Sequence, residues 1–161
     1  MLENYDIGGI GFLYFLSFIS AAVFAAFLMS YRRSAPASRL LSLLSLAIGE
    51  WALASGFEAS TVDIDLKILW SAAAYIGTAA SPVLSMLFAR ALADPESALF
   101  RKRDLLFFIV PLVSVLAAFT NNLHHLLWTA VSLNASGKFA VYASGPFRLL
   151  HIFYSYTLLT F

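Results

Sequence analysis

What most constrains this chain is the length of its apolar runs. Residues 10–31, 40–59 and 66–93 are dominated by Phe, Leu, Ala, Ile and Ser, and shorter runs follow at 105–119 and 147–161. A helix needs about 20 predominantly apolar residues to cross the hydrocarbon core of a bilayer. Water cannot satisfy the backbone there, so each run must close its own hydrogen bonds as a helix. The apolar residues come in blocks, without the amphipathic stripe of a helix lying on a soluble core. Of all residues, 61% are hydrophobic and 12% charged, against roughly 25% charged in soluble domains. The expected fold class is all-α: a polytopic transmembrane helical bundle with these five runs as its spans.

Polar punctuation separates the spans. Tyr31, Arg32, Arg33, Ser34, Ala35 and Pro36 read as a tight polar turn after the first. Residues 60–65 form a short acidic connection, in which Asp63 or Asp65 suits the N-cap of the third helix. That helix is longer than a straight crossing needs, so it is expected to tilt, protrude or bend near Pro82, which removes a backbone donor inside it. Gly77, Ser81 and Ser85 are small residues that let membrane helices approach closely. Pro95 and the cluster Arg101, Lys102, Arg103 precede the fourth span, which contains Pro111. Beyond it, residues 128–133 and 139–143 are β-favouring, with turn chemistry in Asn134, Ala135, Ser136 and Gly137. A small hairpin outside the membrane is expected there. Gly145 and Pro146 then break the chain before the fifth helix, which is still apolar at Phe161. The chain therefore reads as the first part of something longer.

Orientation follows from the basic residues, which favour the cytoplasmic side. The connections holding Arg32, Arg33, Arg39 and Arg101, Lys102, Arg103 should face the cytoplasm. The N-terminus, residues 60–65 and residues 120–146 should face outward. The expected setting is multi-pass in the cell membrane, with lipids as the first partners. A net charge of +1 gives no basic stripe for nucleic acid, and the absence of cysteine excludes disulfides and thiolate chemistry. No Ser/His/Asp arrangement, phosphate loop or HExxH pattern occurs, so no catalytic residue and no cofactor is expected in this chain.

The most concentrated polar chemistry is Thr120, Asn121, Asn122, His124, His125 and Trp128, where a span meets water. These residues are candidates for contact with a small-molecule ligand. Their plainer reading is capping of the fourth helix by Thr120, Asn121 and Asn122, with Trp128 as an interface anchor like Trp51 and Tyr142. His124 and His125 are neighbours, about a hundred degrees apart on a helix, and cannot easily chelate one ion together. Glu50 and Glu58 lie about eighty degrees apart on one helix and can share a face. A carboxylate in a bilayer usually meets a cavity or a partner, so ligand binding is weighed against helix packing for both. Tyr75, with Trp70 on the same helix, is either core or a ligand contact. Arg90 can snorkel to lipid phosphates.

Glu58, Leu66, Lys67, Trp70, Tyr75, Ile76, Gly77 and Pro82 occur in an order that resembles the N-terminal seven-helix membrane region of bacterial and archaeal sensor histidine kinases. The resemblance continues through Pro111, Thr120, Asn121, His124 or His125, Trp128, Gly145, Pro146, Phe147, Tyr154 and Tyr156. It implies the first five of seven helices, an outside N-terminus, and a cytoplasmic effector such as a kinase or diguanylate cyclase module beyond this chain. It also implies a sensory input role, with Glu58 a ligand contact and a homodimer as the working unit. Two other classes remain open: a small-molecule transporter fragment with Glu50 and Glu58 along its path, and a membrane enzyme using the histidines and glutamates around a metal or haem.

Overall fold

Three long helices make up the first half of the chain, and their lengths follow from the apolar runs. In a computed structural model describing residues 5–31, 35–94 and 101–160, α1 spans Gly9–Tyr31, α2 Pro36–Ser60 and α3 Ile64–Ala93. All three are long and apolar enough to cross a membrane. At about 1.5 Å per residue each exceeds the roughly 30 Å hydrocarbon thickness. Arg32, Arg33 and Pro95 lie outside the described residues. Pro36 opens α2 at its first turn, four residues before the expected start, because its missing N–H has no partner to lose there. Asp63 caps α3, accepting from the Leu66 amide at 2.9 Å. Pro82 sits within an uninterrupted α3.

The second half is more broken. A 3-10 helix at Lys102–Phe108 leads into α4, Ile109–Phe119. The expected fourth span is thus composite, and Pro111 falls in the first turn of α4, where a missing donor costs little. A single turn, α5 (Asn121–His124), precedes β1 (Trp128–Leu133) and β2 (Ala140–Ser144), followed by α6 (Pro146–Leu159). The strands pair antiparallel, from Trp128 opposite Ser144 to Leu133 opposite Ala140. Asn134 builds the turn: its side-chain oxygen accepts from the amides of Lys138 and Phe139, and Gly137 takes the positive φ of 70° that the turn requires.

Packing runs α1 on α2, α2 on α3, then α3 against α4 and α6. Of α1 only Gly11 and Ala25 are buried, while Phe12, Leu16, Val23 and Phe27 stay exposed. Such a face calls for apolar surroundings, lipid or another helix. Small residues mediate the contacts, as membrane packing favours: the Ser42 hydroxyl donates to the Ala25 carbonyl at 2.9 Å. Gly77 is the tightest point between α2 and α3. A Cβ there would fall on the Ala47 carbonyl oxygen, and the Gly77 amide donates to Glu50 Oε2 at 2.6 Å.

Two apolar clusters result. One, near the 3-10 helix, joins Leu40, Val83, Leu84, Leu87, Ala91 and Leu158; the other, at the hairpin end, joins Ala72, Ala118, Leu127 and Trp128. The Tyr5–Thr61 bridge puts the N-terminal segment at the hairpin end too.

Candidate functional site

The hairpin is fixed to the bundle by one side chain. Buried Asn121 accepts through Oδ1 from the Leu127 and Trp128 amides at 2.9 and 3.1 Å, and its Nδ2 donates to the Trp128 carbonyl at 2.9 Å. Asn121 is therefore a loop clamp rather than the helix cap expected of it. Capping falls to Thr120, whose hydroxyl donates to the Leu116 carbonyl at 2.7 Å. On the other side of the clamp, Gly145 and Phe147 donate backbone bonds to the Leu127 and Leu126 carbonyls. A Cβ on Gly145 would overlap the Leu126 carbonyl, so only glycine lets β2 turn into α6 here.

Anchored this way, β2 aims Tyr142 at α2 and α3. Its hydroxyl bonds with Ser71 Oγ and lies 3.4 Å from both Glu58 Oε1 and the Lys67 carbonyl. Burial pushes the Tyr142 phenol well above its ordinary range, so it stays protonated and remains a donor. Lys67 is fully buried; its ammonium donates to the Glu58 carbonyl at 2.8 Å and is attracted by the Glu58 carboxylate. A buried cation is tolerated because this opposite charge and carbonyl are in reach. Beside it, Trp70 stacks on Phe57 at 4.4 Å between centroids and donates to the Tyr5 hydroxyl.

An aromatic chain continues inward from Tyr142. Trp128 lies 5.2 Å from Tyr142, Tyr75 5.6 Å from Trp128, and His151 6.0 Å from Tyr75, centroid to centroid. Trp128 is 3% exposed. It is a core residue at the hinge of the hairpin, not the interface anchor expected from its type. With the Ser114 proton assigned to the Val110 carbonyl, His151 donates to Ser114 from Nδ1–H across a 2.8 Å bond between α4 and α6.

The remaining candidates separate. His124 is bound locally: Nδ1 accepts from the Leu126 amide at 3.0 Å, leaving Nε2–H to donate to Thr120 Oγ1 at 3.1 Å. His125 ends α5 at φ 52° and is exposed, a conformation uncommon outside glycine. Glu50 is spent on the Gly77 amide and does not line the hairpin-end cavities. Among the described residues no group of three His, Asp or Glu side chains converges.

Two cavities open at the hairpin end. One of about 300 Å³ is lined by Trp51, Tyr75, Trp128, Tyr142, Arg148 and His151 among others. The other, about 420 Å³, lies between α3, α4 and β1 and takes in Asp65, Asn121, Asn122, His125 and Trp128. A larger one, about 1020 Å³, is at the opposite end and touches none of the candidates. It borders a clasp in which Arg90 meets buried Asp104 with two bonds of 2.7 Å. Arg90 thus pairs within the protein instead of snorkelling to lipid. The Arg90 guanidinium, helped by the Arg101 amide, holds the Asp104 carboxyl down to about 2.

The sequence singled out Tyr75, Trp128 and Glu58, which the structure brings to one network; it passed over Ser71 and Arg148, gave Lys67 and Tyr142 no such part, and brought in His151 only as a partner in the metal or haem alternative. A lysine one turn inside an apolar helix was a usable signal for Lys67, whereas Ser114 and His151 are too far apart in sequence to suggest a pair. Comparisons with curated proteins and with solved structures each return no match. A family model described as the N-terminal 7TM region of histidine kinase matches residues 13–161. This chain is a membrane protein segment that belongs to that family, the sensory input region of histidine kinases.

Proposed function

We propose that the hairpin end of this bundle is an extracytoplasmic sensing site, and that a stimulus there changes helix packing and is relayed to a cytoplasmic output module. One observation carries the reading. Ser71 on α3, Tyr142 on β2 and His151 on α6 line one cavity, and Tyr142 ties it to Glu58 on α2 and Lys67 on α3 through bonds and ring contacts. A ligand, lipid component or membrane state that favours one packing of these elements would act on three helices at once. Such coupling needs only a differential interaction energy between two packings.

The basic residues support the orientation. Arg39, Arg101, Lys102 and Arg103 lie at the end away from the hairpin, where the positive-inside rule puts the cytoplasm of the cell membrane. From α1 onward the connections alternate sides. The region is non-catalytic in this reading, and the natural protein works as a homodimeric kinase.

Single cysteines at Ala135 and Lys102, introduced into the cysteine-free chain, test this with a membrane-impermeant maleimide on intact cells. Labelling at Ala135 and protection at Lys102 are expected. The reverse pattern would end the proposal, because the site would then face the effector side.

A further inference from the structure

We propose that the 300 Å³ cavity at the hairpin end binds a small aromatic monoanion, with its negative group on Arg148 and its ring against Trp128, Trp51 and Tyr75. The inference rests on the sensing role and adds the chemistry of what is sensed.

The charge on the cavity wall carries the argument. Arg148, in the first turn of α6, is half-buried and lines the cavity. Among the described residues its guanidinium has no hydrogen bond and no ion pair, although its charge reaches the Tyr75 phenol. No carboxylate lines the cavity. Glu58, the nearest acid by connectivity, does not line it and is engaged by Lys67 and the Tyr142 hydroxyl. The other cationic contact at this end, Lys67, is spent on the Glu58 carbonyl. The site thus offers one uncompensated positive charge with five donors in a planar fork, the geometry that suits a carboxylate.

The rest of the wall selects the body of the ligand. Trp51, Tyr75, Trp128 and Tyr142 supply ring surface, and the small side chains of Ser55, Ser71, Ala74 and Thr78 leave room on the helical side of the cavity. A volume near 300 Å³ lies at the small end of ligand sites, room for one ring and one anionic group. A lipid headgroup brings the charge without the ring.

The test uses the natural full-length protein in phosphatidylcholine nanodiscs, with radiolabelled benzoate as probe in equilibrium dialysis. Saturable binding at one site per chain is expected, with benzamide competing at least about tenfold more weakly, since a charge-assisted bond to Arg148 is lost. Arg148→Gln should weaken benzoate by a similar factor, and Arg148→Lys by less. The benzamide comparison is made on the unaltered protein, so it decides even if a variant folds badly. No saturable binding, or benzamide competing as well as benzoate, overturns the proposal. So does displacement of benzoate by phosphatidylglycerol added to the nanodiscs, which would assign the site to a lipid headgroup. If benzoate fails to bind while Tyr142→Phe still alters kinase output, the anion inference falls and the sensing role stands. If benzoate binds and neither it nor Tyr142→Phe alters output, the sensing role falls instead.

Discussion

Replacing Gly77 with alanine should cost the bundle about 3 kcal/mol, from two contributions. The new methyl would meet the Ala47 carbonyl oxygen, Glu50 Oε2 and the Trp51 amide nitrogen together. Two of these are backbone atoms, so no side-chain rotation relieves the clash and α2 must move away from α3. Overpacking of this kind costs about 1–3 kcal/mol. Separation also stretches the 2.6 Å bond from the Gly77 amide to Glu50, and interhelical hydrogen bonds in membranes contribute roughly 0.6 to 1.7 kcal/mol. Reversible unfolding in mixed SDS micelles, followed by circular dichroism, measures the sum. Glu50→Gln keeps an oxygen acceptor at the same place and should lose less than about 1 kcal/mol. If Gly77→Ala unfolds within about 0.5 kcal/mol of the unaltered protein, close approach at this crossing is not what holds α2 on α3.

Three further outcomes are expected. Asp104→Asn should destabilise the end bearing the 3-10 helix by about 2 kcal/mol at neutral pH, because a carboxyl lowered from 3.8 to about 2 is bound that much more tightly in the fold. The sign fixes the pH window: this stability is fully present above the unfolded value and fades as pH falls towards about 2, which thermal unfolding at stepped pH reads directly. Asn121→Ala leaves two amides and a carbonyl without their partner and should cost about 2–4 kcal/mol, with faster hydrogen exchange at Leu127 and Trp128; unchanged exchange there would refute the clamp. Nitrogen NMR should find His151 in the Nδ1–H form and Ser114→Ala should release that preference, whereas an Nε2–H signal in the unaltered protein would contradict the assigned bond.

What could be read in advance was whatever a local stretch determines. Long apolar runs gave α1, α2 and α3 within a few residues, since nothing else satisfies a backbone in lipid. Asp63 and the Asn134–Gly137 turn were legible because caps and turns are made by neighbours in sequence. The fourth span hid its 3-10 segment, because hydropathy does not distinguish one apolar helix type from another. Tertiary partners were the larger gap. Arg90 carries the look of an interfacial arginine until Asp104 is folded back onto it. Asn121 looks like a cap until Leu127 and Trp128 return to it. Arg148 drew no notice as a lone charge near the start of a helix, and its interest lies in the rings that other elements bring around it.

Autophosphorylation of the natural full-length protein in nanodiscs tests the central claim most directly, by comparing Tyr142→Phe with Val141→Ala on the same strand. Tyr142→Phe removes the hydroxyl that joins β2 to Ser71 and Glu58 without emptying the ring's place; Val141 is 52% exposed and makes none of that network's side-chain hydrogen bonds. A coupling of ordinary size predicts a change of about fivefold or more in the rate for Tyr142→Phe, with Val141→Ala matching the unaltered protein. Equal rates for all three would contradict the account, leaving the hairpin network as scaffolding with no part in the signal.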